Sequence, residues 1–244
     1  MSVAVISSKA SARLLPALLE HLMGPAAQGW SCLAIGGVDA VQRIRAVKPD
    51  PSDRAEHFDI AVLEVSALAA LEAEGIVLPG SYVPLVISST AVAVARGAVR
   101  PDVSSLSALQ EALAQAPSIG YSTGPSGRAL LGLLERWGML PALNERLVQA
   151  PPGVPVARLI AQSTVAIGFQ QFSELLGVDG VDVLGPMPEG ARIDTEFGAA
   201  VVRASVQPTA AARLIDAMAS AATEPLRIEH GFALPKRGRA PAGA

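Results

Sequence analysis

Apolar positions along this chain follow two alternating periods. Short β-branched runs predict strands over residues 3–6, 30–35, 58–63, 118–121, 165–169, 181–184 and 197–202. Between them the apolar residues fall at helical spacing. Leu14, Leu15, Leu18, Leu19 and Leu22 predict a helix over 11–23, and Leu130, Leu131, Leu133, Leu134 and Trp137 predict another ending at Gly138. Further helices are expected over 38–47, 66–74, 143–148, 155–161 and 209–222, and one from Ser105 or Ser107 to Ala114. The run 82–95 is long and β-branched, and it is expected to leave one lobe and enter another. The strand at 197–202 would carry the chain back.

Strands alternating with helices indicate an α/β protein with mostly parallel sheets. In such sheets ligands lie beyond the carboxyl ends of the strands. Polar turns fall at those ends: Ser7-Ser8 after the first strand, Gly36-Gly37 after the second, and Ser122-Thr123-Gly124-Pro125-Ser126-Gly127 after the strand at 118–121. The last turn has two readings. It can present backbone N–H groups and hydroxyls to an anion at the positive end of a helix. It can also be an ordinary cap, with Ser122, Thr123 or Ser126 as capping residue and Pro125 in the first turn.

Composition narrows the choices. Half of the 244 residues are hydrophobic, so a sizeable core is available. The net charge of −3 and the lack of a basic stripe interleaved with aromatics argue against nucleic acid. Cys32 is the single cysteine, which excludes an internal disulfide and a CxxC metal site. His21, His57 and His230 have no metal-ligand spacing, and no metal or cofactor is expected. No apolar run is long enough to insert in a membrane. No secretory signal pattern precedes the first strand. The expected location is therefore cytoplasmic, or periplasmic if the native chain carries a leader that this sequence lacks. The segment 48–57 is expected to be a charged loop, and 236–244 a flexible tail.

The serine pair, GGVDAVQRI (Gly36–Ile44), FDIAVL (Phe58–Leu63), GYSTGPSG (Gly120–Gly127), QAPPGVPVARLIA (Gln149–Ala161) and GFQQFSEL (Gly168–Leu175) occur in an order that resembles the type 2 periplasmic-binding-protein fold. Within it the chain resembles molybdate-binding and similar solute-binding proteins, and a subgroup similar to aconitate isomerase. The resemblance implies two α/β lobes, residues 1–84 with 194–244 and residues 85–193, with an anion in the cleft between them. It implies ligand contacts from Ser7, Ser8, Gly36, Gly37, Ser122, Thr123, Gly124, Ser126, Gly127, Gln170 and Gln171. It allows a transporter partner, although no motif indicates one, and it leaves the oligomeric state open.

Departures from the molybdate pattern matter. The second strand end carries Gly36-Gly37 without a hydroxyl, and Phe169-Gln170-Gln171 stands near the usual tyrosine. Glycine turns give backbone donors and room, and glutamines donate to carboxylates. A small organic acid, a di- or tricarboxylate, or else an oxyanion is therefore expected, with Lys9, Arg43 and Arg128 as candidate cations. The alternative is an isomerase that moves a C=C bond by a 1,3-proton shift on an unsaturated tricarboxylate such as aconitate. For that reaction Lys9 and Glu64, at the ends of the first and third strands, are the candidate proton carriers.

Overall fold

The computed structural model describes residues 2–25, 29–47 and 57–235. The expected charged loop, apart from His57, and the expected tail lie outside the described residues. β1 (Val3–Ser8) runs through a 3-10 turn, Lys9–Ser11, into α1 (Leu14–Met23). β2 (Trp30–Ile35) and α2 (Gly37–Ala46) follow, then β3 (Ile60–Glu64) and α3 (Val65–Ala73). The long β-branched run is a single strand, β4 (Val83–Ala95). Next come α4 (Leu106–Gln115), β5 (Ile119–Tyr121), α5 (Pro125–Arg136), α6 (Leu140–Leu143) and β6 (Leu147–Gln149). α7 (Val156–Ala161), β7 (Ile167–Gln171), α8 (Phe172–Leu175) and β8 (Val181–Pro186) lead to β9 (Asp194–Val201), α9 (Pro208–Ala219) and α10 (Glu224–Glu229).

Two compact units result: Met1–Ile87 with Glu196–Ala244, and Ser88–Thr195. Both breaks fall inside strands, β4 and β9. The sequence puts them at 84/85 and 193/194.

In the first unit the strand order is β2-β1-β3-β9. β1 pairs in parallel with β2 and β3, while β9 returns antiparallel to β3. Alternate residues of β1 enter different cores. Val3 and Val5 pack with Leu14, Leu15 and Leu18 of α1 and Ile215 of α9. Ala4 and Ile6 pack with Ala40 and Ile44 of α2 and Leu68 and Leu71 of α3. Both faces are covered, which is why β1 reads as an unbroken apolar run.

A fully buried carboxylate ties this unit together. Asp59 accepts hydrogen bonds from the Ala4 N–H (2.9 Å), the Ser205 hydroxyl (2.6 Å) and the Gln207 amide (3.1 Å). Tyr82 donates its hydroxyl to Glu196 at the start of the unit's share of β9. Burial, then that hydrogen bond and the negative charge of Glu196, push the Tyr82 phenol well above its ordinary value of 10.0.

In the second unit the order is β8-β4-β7-β5-β6. β5 is parallel to β6 and β7, and β4 is antiparallel to β7 and β8. One sheet face, with Val92, Val94, Ile119, Ile167 and Phe169, packs under Leu109 and Leu113 of α4 and Leu130, Leu133 and Leu134 of α5. The other face, with Ala91 and Ala93, meets Val156, Ala157 and Ile160 of α7.

The sequence pattern misplaces a few elements. Residues 143–148, expected to be helical, contain a 3-10 turn (Asn144–Arg146) and then β6. The helix expected over 209–222 stops at Ala219, and α10 follows a further 3-10 turn. α8 was not anticipated by any periodicity, because four residues are too few to show one.

Asp59→Ala strips the acceptor from three donors at once. It is expected to lower the unfolding free energy by about 3 kcal/mol, measured by urea denaturation. A raised tyrosine pKa means that the unfolded chain releases its proton first. Stability from Tyr82 is thus complete below pH 10.0 and is lost as pH rises beyond it. Tyr82→Phe should flatten the alkaline fall in stability, measured by denaturation at stepped pH.

Candidate functional site

In the first unit parallel pairing brings the carboxyl ends of β1, β2 and β3 to one edge. Ser7 pairs with Ala34 on one side and Val62 on the other, and Ser8 pairs with Ile35. Ser7 and Ser8 are buried, and neither hydroxyl has a hydrogen-bond partner among the described residues. Burial raises the Cys32 thiol pKa, and the nearby Ser7 hydroxyl opposes part of that rise. The two groups do not reach hydrogen-bond geometry, so Ser7 Oγ remains unpartnered. Unpartnered buried hydroxyls are uncommon and mark places where a water or ligand belongs.

The glycine pair has a more local meaning than the sequence suggests. A Cβ on Gly36 would stand 2.6 Å from Asp39 Oδ2. Gly36 therefore makes room for a carboxylate in the first turn of α2. That charge already sits at the positive end of the helix, where a bound anion would compete with it. Gly37 meets only Ser8 Cβ, at an ordinary 3.8 Å. Arg43 lies in the last turn of α2, exposed and away from the glycine turn. The structure does not bring it to this edge. Lys9 follows directly after β1, half-buried in the 3-10 turn. Glu64 ends β3, and its carboxylate accepts the Ser66 hydroxyl at 2.7 and 2.8 Å. Glu64 lies two residues beyond Val62, on the sheet face of Ser7.

In the second unit β5 and β7 end together, with Tyr121 opposite Phe169. Ser122 then turns the chain into α5. Gly124 is the N-cap residue, Pro125 opens the helix without an N–H, and no side chain caps the first turn. The ordinary cap is therefore not what forms here. Instead the hydroxyls of Ser122 and Ser126 meet at 3.0 Å, and Ser126 is 3% exposed. The turn is so tight that a Cβ on Gly127 would stand 1.8 Å from the Ser122 carbonyl oxygen. Thr123 is exposed, and its carbonyl faces Arg128 Nη1 at a long 3.4 Å. Arg128 thus adds positive charge beside the uncapped start of α5.

The two glutamines part company. Gln170 Oε1 accepts the Ala157 N–H at 2.9 Å, in the first turn of α7, and its Nε2 donates to Glu174 at 2.6 Å. Both ends of its amide are used in holding α7 and α8. Gln171 Nε2 donates to Thr195 Oγ1 at 2.8 Å, while its buried Oε1 has no partner. Ser88 and Thr90 of β4 are also buried with unpartnered hydroxyls. Sequence reasoning missed them, because inside a β-branched run they read as ordinary strand residues. Among the described residues no group of three or more His, Cys, Asp or Glu side chains comes together to hold a metal ion. None of the described helices is long and apolar enough to cross a membrane.

These strand-end turns and the paired α/β units define a type 2 periplasmic-binding-protein fold. Residues 35–233 match the family of bacterial extracellular solute-binding proteins, and the chain belongs to that family. An aconitate isomerase from Pseudomonas sp. is 36% identical over 172 residues, which is 70% of this chain and 66%, just under two thirds, of that protein. Among solved structures, the periplasmic molybdate-binding protein of Azotobacter vinelandii superposes with a TM-score of 0.77 at 16% identity, covering 96% of this chain and 100% of that one. The sulfate-binding protein of Mycobacterium tuberculosis gives a TM-score of 0.68 at 15% identity, covering 95% and 86%. Those two likenesses show the fold.

Gly127→Ala must open the α5 turn. It is expected to destabilise the protein by about 2 kcal/mol, read from chemical denaturation. Gly132→Ala, in the same helix, meets only Arg136 Nη1 at 3.6 Å. It should instead be neutral or stabilising by up to about 1 kcal/mol.

Proposed function

We propose that this protein binds a small organic acid, a di- or tricarboxylate, with one carboxylate held at the start of α5. The observation that carries this reading is the uncapped first turn of α5. Its hydroxyl pair, Ser122 and Ser126, lies 3.0 Å apart beside the exposed Arg128. Membership of a solute-binding family supports an anionic small-molecule ligand at this fold's strand ends. A carboxylate suits the turn because backbone N–H groups, hydroxyls and a guanidinium all donate to it.

A second reading is favoured by one specific observation, the 36% identity to an aconitate isomerase. On that reading the bound acid is an unsaturated tricarboxylate. A proton leaves one carbon and returns to another two positions away, with the double bond shifting between them. Glu64 is the candidate carrier, because its half-buried carboxylate ends β3 on the sheet face of Ser7. Lys9, next to the buried serine pair, is the other.

Binding is tested by isothermal calorimetry with citrate, aconitate and succinate beside molybdate. Ser122→Ala and Ser126→Ala should each weaken carboxylate binding by about 1–2 kcal/mol. Unchanged affinity in both variants, or a response to molybdate and to no carboxylate, would sink the proposal. Proton NMR of cis-aconitate with the protein in deuterated water separates the two readings. Deuterium entry or double-bond movement marks the isomerase, and binding without exchange marks the binder.

A further inference from the structure

The buried polar atoms left without partners in the second unit are not scattered. Thr90 stands directly opposite Gln171 in the β4–β7 ladder, and Val92 stands opposite Phe169. Side chains alternate along a strand, so Ser88, Thr90 and Gln171 share the face of Val92 and Phe169. That face packs under α5. β7 runs parallel to β5, and Gln171 lies two residues beyond the Tyr121–Phe169 pair. It therefore reaches the level of the turn that opens α5. Ser88 and Thr90 are 0% exposed and Gln171 is 3% exposed. Ser88 Oγ, Thr90 Oγ1 and Gln171 Oε1 all lack a partner among the described residues.

The chemistry of the three atoms differs from that of the turn above them. Gln171 has its amide nitrogen tied to Thr195, so the end it leaves over is an acceptor. A carboxylate has no hydrogen to give it. The Ser88 and Thr90 hydroxyls can each donate or accept. A donor to Gln171 Oε1 is required, and an alcohol supplies one while also accepting from a neighbouring hydroxyl.

We infer that Ser88, Thr90 and Gln171 form a subsite for a ligand hydroxyl next to the carboxylate turn of α5, so that the preferred ligand is a hydroxy acid. This rests on the organic-acid reading above and narrows it. The ligand hydroxyl donates to Gln171 Oε1 and accepts from Thr90 or Ser88, while its carboxylate lies at the Ser122–Ser126 turn. A deoxy acid leaves all three buried groups unsatisfied.

The test uses matched acids that differ only in the hydroxyl: citrate against tricarballylate, and 2-hydroxysuccinate against succinate. Calorimetry on the full chain should show the hydroxy acid of at least one pair binding tighter by about tenfold or more. Thr90→Val keeps the shape and removes the hydroxyl, and should reduce that preference to less than about threefold. Its melting temperature without ligand should be unchanged or higher, because a buried unpartnered hydroxyl is gone. Ser88→Ala is the second variant and should reduce the preference in the same direction. Equal binding of both members of each pair by the unaltered protein would overturn the hydroxyl subsite, leave the organic-acid reading standing, and point to a bridging water. A preference that persists in both variants would overturn the assignment to these residues. Binding of none of the four acids would overturn both readings.

Discussion

Parallel strand pairing sends each strand back to its start through a helix, so the carboxyl ends of neighbouring strands must finish at one edge. The polar turns of this protein lie at or just past those ends. β1, β2 and β3 finish together in one unit, and β5 and β7 finish together in the other. Elsewhere, buried polar groups are matched closely. Asp59 takes three donors, Gln170 bridges α7 and Glu174, and the Arg227 guanidinium binds the carbonyls of Leu85, Ala219 and Ser220. Against that background the unpartnered hydroxyls of Ser7, Ser8, Ser88 and Thr90 are informative: the first two end β1, and the other two lie on β4, where Thr90 stands opposite Gln171 at the end of β7.

The two edges differ in charge as well as in shape. α2 begins beside its own carboxylate, Asp39, for which Gly36 leaves space. α5 begins with a glycine, a proline and no capping side chain, and Arg128 turns back toward it. The positive end of α5 is thus left available, and that of α2 is already partly neutralised. A carboxylate has an electrostatic reason to choose the second unit, while the first offers hydroxyls and a half-buried Glu64.

Much of this was legible in the sequence because the periodicities are strong. β1 is apolar on both faces, and β4 is long enough that no helix pattern competes. The turn at Ser122–Gly127 announces itself by composition. Its geometry does not, since only coordinates reveal that the Ser122 carbonyl occupies the place of a Gly127 side chain. β6 was misread because three residues carry no period and are flanked by a 3-10 turn. Gln170 and Gln171 look equivalent in sequence, yet alternation along β7 sends one amide to α7 and the other to the α5 face. Ser88 and Thr90 were invisible for a related reason. Hydroxyl residues are common in strands, and only burial without a partner separates these from the rest.

Asp59 also joins stretches of the chain that are made far apart in time. Its carboxylate is made early, but two of its three partners, Ser205 and Gln207, are 146 and 148 positions further on. The contiguous unit Ser88–Thr195 lies wholly between them. As the chain leaves the ribosome that unit is complete while the first still lacks β9, α9 and the donors for its buried charge. The unit that begins the chain therefore cannot complete the contacts of its buried carboxylate until the whole of the other unit has been made.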